Sequence, residues 1–409
     1  MLSNIEKTLI SKEETFCSNT YHPLPVVLKK GKGVFVWDVN NKKYFDYLSA
    51  YSAVNQGHCN KQILNTFIKQ AKKLTLTSRA FYNNELGSSL EYITSVFGYE
   101  KMLPMNSGAE AVETAIKISR KWGYEVKKVQ HNKAKIIVCN GNFHGRTTTV
   151  VSFSSHHESR ENFGPLTGGF ETINYNDSVS LEKKLKIDKN IVGFLVEPIQ
   201  GEGGVVVPDD GYLTTCKKLC EKYNVLFIAD EIQTGVCRTG ELLACHHENI
   251  KADITILGKA LAGGFYPVSG VLTSKKIMDV MKVGQHGSTF GGNPLACVVA
   301  KEAIKYAIEN NLSEKAHKLG LIFRNYLIDQ INNLPIVKSV RGKGLLNAIV
   351  LNCDVNSEIP WNICLSMRDN GLLAKPTQGN KIRFAPPLVI TEKQLFSSLK
   401  IITKSLKNF

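Results

Sequence analysis

Two short apolar runs, each ending in a chemically useful side chain, constrain this chain more than any other feature. Val225-Leu226-Phe227-Ile228 leads into Ala229-Asp230-Glu231, and Ile254-Thr255-Ile256-Leu257 leads into Gly258-Lys259. Runs of this length, apolar and rich in β-branched or aromatic members, predict strands buried on both faces, as in a parallel sheet covered by helices. Such sheets bind their ligands outside the carboxyl ends of the strands. Asp230 and Lys259 are therefore delivered to the place where a ligand sits. The stretch after Lys259, Ala260 to Phe265, is too rich in glycine for an ordinary helix interior.

A carboxylate and an amine at neighbouring strand ends suit pyridoxal phosphate chemistry. There a lysine forms a Schiff base with the cofactor aldehyde, and an aspartate pairs with the protonated pyridine nitrogen. The pairing keeps the ring cationic and able to withdraw electrons, while the lysine supplies the amine that shuttles a proton. Each residue alone has a plainer reading. An acid near a helix start is a common cap, and a single lysine is most often a solvated surface group. The surrounding residues decide against both.

Ala229-Asp230-Glu231-Ile232-Gln233-Thr234-Gly235, followed by Leu257-Gly258-Lys259-Ala260, resembles the signature of the class III aminotransferases of fold type I. Ser49-Ala50-Tyr51-Ser52-Ala53-Val54-Asn55-Gln56-Gly57-His58 and Glu197-Pro198-Ile199-Gln200-Gly201-Glu202 extend the resemblance, which runs from Tyr21 to the C-terminus. It implies an α/β fold: a large domain with a mainly parallel sheet and a smaller α+β C-terminal domain. The implied division is an N-terminal segment 1–51, a cofactor-binding domain 52–310 and a small domain 311–409. The implied reaction is ping-pong transamination, passing the δ-amino group of L-ornithine to 2-oxoglutarate and giving glutamate 5-semialdehyde and L-glutamate. Specificity for N-acetylornithine or 4-aminobutyrate is the alternative within the class. A non-catalytic basic binding protein on the same fold is the alternative outside it.

The resemblance also assigns roles residue by residue. Lys259 carries the Schiff base and moves the proton, Asp230 holds the pyridine nitrogen, and Gln233 hydrogen-bonds the phenolic oxygen of pyridoxal 5'-phosphate. In Pro104 to Glu113 a polar turn with one glycine precedes a helical pattern, and helix N-termini attract anions. Most such turns are simple caps; the resemblance makes Ser107, Gly108 and Ala109 the phosphate cradle. Phe143, in the glycine-rich turn after Ile136-Ile137-Val138-Cys139, is the aromatic that lies on the pyridine ring. Ser288 and Thr289 reach the phosphate of a neighbouring subunit, which implies a homodimer or higher homo-oligomer. Tyr21, Tyr51 and Arg146 meet the substrate, and Tyr21, Tyr51 and Glu202 favour ornithine. Glu202 pairs with Arg383 as a switch that opens when a dicarboxylate enters. His144 departs from the resemblance, which has a tryptophan there, and the departure concerns the wall of the substrate pocket.

Composition removes other classes. The net charge of +15 comes from 51 basic and 36 acidic side chains, but the lysines are scattered, so small anionic substrates fit it better than nucleic acid. No apolar run approaches the roughly 20 residues that span a bilayer, so no membrane partner is expected. The ten cysteines are dispersed without paired ligand spacing, which predicts buried thiols and no metal site. Met1 to Phe16 carries Glu6, Glu13 and Glu14 among its lysines, unlike an acid-poor presequence, and predicts a cytoplasmic location. A strand pair is expected around Asn40-Asn41, helices over 61–73, 84–97, 300–308 and 316–331, and strands over 340–352 and 372–384. Residues 74–79 read as loop or strand, and residues 147–190 as polar and turn-rich.

Overall fold

The fold, taken from a computed structural model, is described for residues 2–331 and 333–409. In chain order its strands are β1 (Leu28–Lys32), β2 (Phe35–Asp38), β3 (Lys43–Asp46), β4 (Lys101–Met105) and β5 (Lys135–Cys139). Then come β6 (Phe170–Ile173), β7 (Ile191–Val196), β8 (Leu226–Asp230), β9 (Ile254–Leu257) and β10 (Ser269–Thr273). The last are β11 (Val337–Lys343), β12 (Leu346–Leu351), β13 (Leu372–Leu373), β14 (Lys375–Thr377) and β15 (Lys381–Phe384).

The largest sheet has the order β4-β10-β9-β8-β7-β5-β6. β9, β8, β7, β5 and β6 are mutually parallel, and β10 runs antiparallel to both its neighbours. Every residue of β7, β8 and β9 is buried, as their unbroken apolar sequences require. Alternation along the strands divides the core in two. Ile228 and Leu195 point to the layer that holds Ala111, Ile116 and Ile118 of the helix Gly108–Glu125. Phe227 and Phe194 point to the opposite layer, with Leu213 and Cys216 of the helix Tyr212–Lys222. Seven of the ten cysteines are buried, so these thiols serve as small apolar groups.

Two four-stranded sheets flank the large one. β11-β12-β15-β14 is antiparallel throughout. β1-β2-β3 closes around the Asn40-Asn41 turn and gains β13 from the far end of the chain, parallel to β3. Arg238 ties these parts together from a fully buried position. Its guanidinium donates to the carbonyls of Leu345 (3.0 Å) and Pro386 (2.7 Å) and to Oδ1 of Asn55 (2.5 Å). A buried charge is tolerated when its donors are satisfied in this way.

Some elements differ from the sequence expectation. Residues 340–352 form a hairpin, not one strand, because Gly344, at φ +53°, turns β11 into β12. Residues 372–384 break into β13, β14 and β15 with Gln378 and Gly379 both left-handed at the last turn. Residues 147–190 contain edge strand β6 and the helix Ser178–Ile187, whose cap Asp177 accepts from the Ser180 amide at 2.9 Å. Asn4–Phe16 is helical, opened by a capping box between Ser3 and Glu6. Residues 74–79 are loop.

Candidate active site

β8 and β9 are neighbours, with Asp230 opposite Ile256, so the two strand-end residues converge on one cavity beyond the sheet. Asp230 is almost fully buried. Its Oδ1 accepts from the Ile232 amide at 3.1 Å, and its Oδ2 lies 2.7 Å from Nδ1 of the fully buried His144. The carboxylate is thus held from both sides. Lys259 follows β9 directly and adopts a left-handed backbone, φ +42°, at the start of the 3-10 turn Lys259–Ala262. That conformation is costly for a side chain of this size and is kept where the surroundings over-determine it. Lys259 is half-buried because it lines the cavity. Desolvation of its amine pushes the pKa below the usual lysine range, with the Glu202 carboxylate pulling the other way.

The cavity wall is completed by Gly108, Ala109, Phe143, His144, Gly145, Glu197, Ile199, Ile232, Gln233 and Thr234. Ser107 caps the helix Gly108–Glu125: its hydroxyl accepts from the Glu110 amide, and the Glu110 carboxylate takes the amides of Ser107 (2.8 Å) and Asn106 (3.1 Å). Gly108 and Ala109, at the first two helical positions, have no intrahelical acceptor for their amides. A side chain at Gly108 would come within 2.9 Å of Ile232, so that backbone stays bare toward the cavity. Glu197 sits at the end of β7 with Oε1 accepting from the Phe143 amide at 3.1 Å. Burial, and then the nearby negative charge of Asp230, hold its carboxyl well above the usual range.

Oε2 of Glu197 and Nε2 of His144 are buried without a hydrogen-bond partner among the described residues. Buried polar atoms are normally paired, so the cavity is built for a polar occupant. An amine, a carboxylate and two bare helix amides are the donor set that matches the aldehyde, ring nitrogen and phosphate of pyridoxal phosphate. The residues present fit that group.

At the other end of the cavity Nη1 of Arg383 lies 2.6 Å from Oε1 of Glu202 and 3.0 Å from Oε1 of Gln233. Arg383 is buried on β15 and its guanidinium stands 5.0 Å from the centre of the Tyr51 ring. Burial alone would raise the Glu202 pKa, but the charge and hydrogen bond of Arg383 outweigh it and leave it lowered. Tyr51 is presented by Ser49–Ser52, four consecutive left-handed residues with φ from +46° to +74°. The turn is anchored by Asp46, whose Oδ1 accepts from the amides of Leu48 and Ser49. Burial raises the Tyr51 pKa, Glu202 next, and Tyr21 adds to it, so Tyr21, itself 69% exposed, stands at the mouth. Arg146 is exposed at the rim with its guanidinium 5.8 Å from the Phe143 ring centre.

The residues singled out in the sequence fall into these groups. Asp230, Lys259, Gly108, Ala109, Phe143 and Gln233 line the cavity, with Ser107 beside it as helix cap. Glu202, Arg383, Tyr51, Tyr21 and Arg146 gather at its outer end. Ser288 accepts from Nδ2 of Asn106 at 2.7 Å next to the helix start, whereas Thr289 is exposed outside the cavity. His144 was expected in the substrate pocket's wall; its direct contact is with Asp230. Glu197 drew attention only as a strand-ending acid, and the signal that it belongs to the site was the run of apolar residues aiming it there, as with Asp230.

A mainly parallel sheet with an aspartate and a strained lysine at adjacent strand ends, and a helix N-terminus between them, defines a fold type I aminotransferase. Residues 16–406 match the profile of the class-III aminotransferases, and the chain belongs to that family, whose members depend on pyridoxal phosphate. It is 55% identical over 398 residues to the mitochondrial ornithine aminotransferase of Drosophila melanogaster, covering 97% of this chain and 90% of that one. The crystal structure of the ornithine aminotransferase from Toxoplasma gondii superposes with a TM-score of 0.97 at 46% identity, over 100% of this chain and 96% of the other. The acetylornithine aminotransferase from Elizabethkingia anophelis gives a TM-score of 0.91 at 55% identity, with 99% of each chain covered. No helix among the described residues is long and apolar enough to cross a membrane.

Proposed function

We propose that this chain transfers the δ-amino group of ornithine to 2-oxoglutarate, giving glutamate 5-semialdehyde and glutamate. The observation that carries the reading is the ion pair between Glu202 and Arg383 at 2.6 Å, facing Tyr51 inside the cavity. While the pair is closed, the guanidinium is neutralised and a substrate enters with its side-chain amine toward Lys259. When 2-oxoglutarate or glutamate enters, its α-carboxylate takes the place of Glu202 on the planar fork of Arg383. One pocket thereby serves an amine donor and a dicarboxylate in turn.

Pyridoxal phosphate, when bound, supplies the electron sink that makes the carbon–hydrogen bond beside the amine acidic. Lys259 would anchor it, Asp230 would face its ring nitrogen, and Ser107, Gly108 and Ala109 would hold its phosphate. Phe143 would cover the ring, and Gln233 would donate to the phenolic oxygen. Lys259, held uncharged by desolvation, takes the proton from the substrate's δ-carbon and returns it one step later. Tyr21 and Tyr51 orient the far end of ornithine, and Arg146 offers a second carboxylate fork at the rim.

The second reading within the family is N-acetylornithine as donor, favoured by the identity to the Elizabethkingia protein. Comparing kcat/KM for ornithine, N-acetylornithine and 4-aminobutyrate with 2-oxoglutarate as acceptor separates them, and a preference for either of the latter two overturns the proposal.

The proposal includes a homodimer. Phe81 and Tyr82 are 73% and 104% exposed and Phe290 is 45% exposed, on two loops beside the site, and burial of such aromatics favours association. Sedimentation at micromolar concentration tests it, and a monomer there contradicts it. It includes a division at residues 51 and 310, to be tested by limited proteolysis. A cytoplasmic location, suggested by the glutamates of the N-terminal helix, is tested by cell fractionation.

A further inference from the structure

The loop that carries Glu202, from Gly201 to Val205, is wedged between two sheets. Toward the large sheet, Gln200 and Val206 exchange backbone hydrogen bonds at 3.1 and 3.0 Å. A side chain at Gly201 would meet Oε1 of Gln233 at 2.2 Å. Toward the C-terminal sheet, a side chain at Gly204 would meet Cδ of Lys381 at 2.1 Å, so both glycines are needed for the close approach. Val205 has φ +55° and is fully buried among Leu346, Ala348 and Ala385, a strained backbone for a β-branched residue.

Two side chains of the C-terminal sheet grip this loop by its carbonyls. Oγ1 of Thr377, a buried residue at the end of β14, donates to the Glu202 carbonyl at 2.8 Å. Arg341, on β11, donates from Nε and Nη2 to the Gly204 carbonyl at 3.0 and 2.7 Å. Arg383, the partner of the Glu202 carboxylate, lies on β15 of the same sheet. Carboxylate and guanidinium are therefore both referenced to one rigid frame. The pair can open by rotation of the Glu202 side chain, while its backbone is held still.

We propose that Thr377 and Arg341 are specificity-setting positioning residues: by clamping the backbone of the Glu202 loop they keep the Glu202–Arg383 pair closed during amine donation by the side-chain end of the substrate. The inference rests on Glu202 acting as the switch. Loosening the clamp lets the loop move away with its carboxylate, which frees Arg383 for an α-carboxylate. The two half-reactions then change in opposite directions. A clamp that merely supported the fold would slow both together.

The test measures single-turnover rates with ornithine and with glutamate in the wild type, Thr377→Val, Thr377→Ser, Arg341→Met and Glu202→Ala. Thr377→Val and Arg341→Met are expected to raise the glutamate rate relative to the ornithine rate by about three- to tenfold, the factor that one net hydrogen bond represents. Thr377→Ser, which restores the hydroxyl, keeps the wild-type ratio. Arg341→Met reads the same clamp through the neighbouring carbonyl should Thr377→Val not fold. If Glu202→Ala shifts the ratio and neither clamp variant does, the clamp is wrong and the switch stands. If Glu202→Ala leaves the ratio unchanged, switch and clamp both fall. Equal slowing of the two half-reactions in the clamp variants also overturns the inference.

Discussion

Nδ1 of His144 lies 2.7 Å from Oδ2 of Asp230, with both side chains removed from solvent. An ionised carboxylate can only accept, so the ring donates from Nδ1, and the second Asp230 oxygen is taken by the Ile232 amide. The residue assigned to the cofactor's ring nitrogen is thus fixed in place before any ligand arrives. His144→Phe keeps a ring and loses the donor, leaving Asp230 short of one charge-assisted hydrogen bond, worth about 1.5–3 kcal/mol. Cofactor retention in dialysis is expected to weaken by about tenfold or more, and the pH profile of the bound cofactor's absorbance to shift. Retention and profile equal to wild type would mean that the contact is incidental.

Asp230→Asn preserves shape and removes charge. The amide cannot favour a protonated ring nitrogen as a carboxylate does, so the variant should bind cofactor and turn over at least about a hundredfold more slowly, from a loss of roughly 3 kcal/mol or more. Stopped-flow absorbance with ornithine reads this directly. Wild-type rates would reduce Asp230 to a structural acid.

Lys259→Ala should abolish turnover without lowering the melting temperature of the cofactor-free protein. The amine is desolvated and its pKa depressed, and the backbone is left-handed, so its removal sacrifices no favourable native interaction. A marked fall in melting temperature would show that the lysine supports the fold.

The strand-end logic explains how much of this site was legible beforehand. Asp230, Lys259 and Glu197 could be found because an unbroken apolar run specifies a buried parallel strand, and such strands aim their last residue at the ligand. Glu202 and Arg383, far apart in the chain, owe their expected pairing to the family resemblance alone. The partner of Asp230 was not legible. His144 sits in an irregular turn, and no periodicity says which way a turn residue faces. The loop clamp from Thr377 and Arg341 was hidden for the same reason, being a contact between a loop and two short strands. Edge strand β6 escaped notice because Phe170-Glu171-Thr172-Ile173 lies among turn residues, and its place in the sheet comes from pairing with β5.

Glu197 gives a pH signature with a definite sign. Its folded-state pKa is raised by burial and by Asp230, so between the usual glutamate value of about 4.5 and that raised value the unfolded chain ionises while the folded chain stays protonated. The unfolded state binds fewer protons there, and this residue's contribution to stability falls as pH rises. Glu197→Gln removes the effect. Its melting temperature, relative to wild type, is expected to climb between about pH 5 and pH 8. A constant difference across that range would mean that Glu197 ionises normally in the fold.

The central claim is that nitrogen leaves the side-chain end of ornithine, and position-specific labelling tests it most directly. Ornithine carrying nitrogen-15 at the δ-amine alone is incubated with the enzyme, pyridoxal phosphate and 2-oxoglutarate, and the glutamate formed is analysed by mass spectrometry. The account predicts glutamate labelled at its amino group, together with unlabelled nitrogen in the cyclised semialdehyde product. Unlabelled glutamate would show that the α-amine is the one transferred and would contradict the assignment of Glu202, Arg383 and Tyr51.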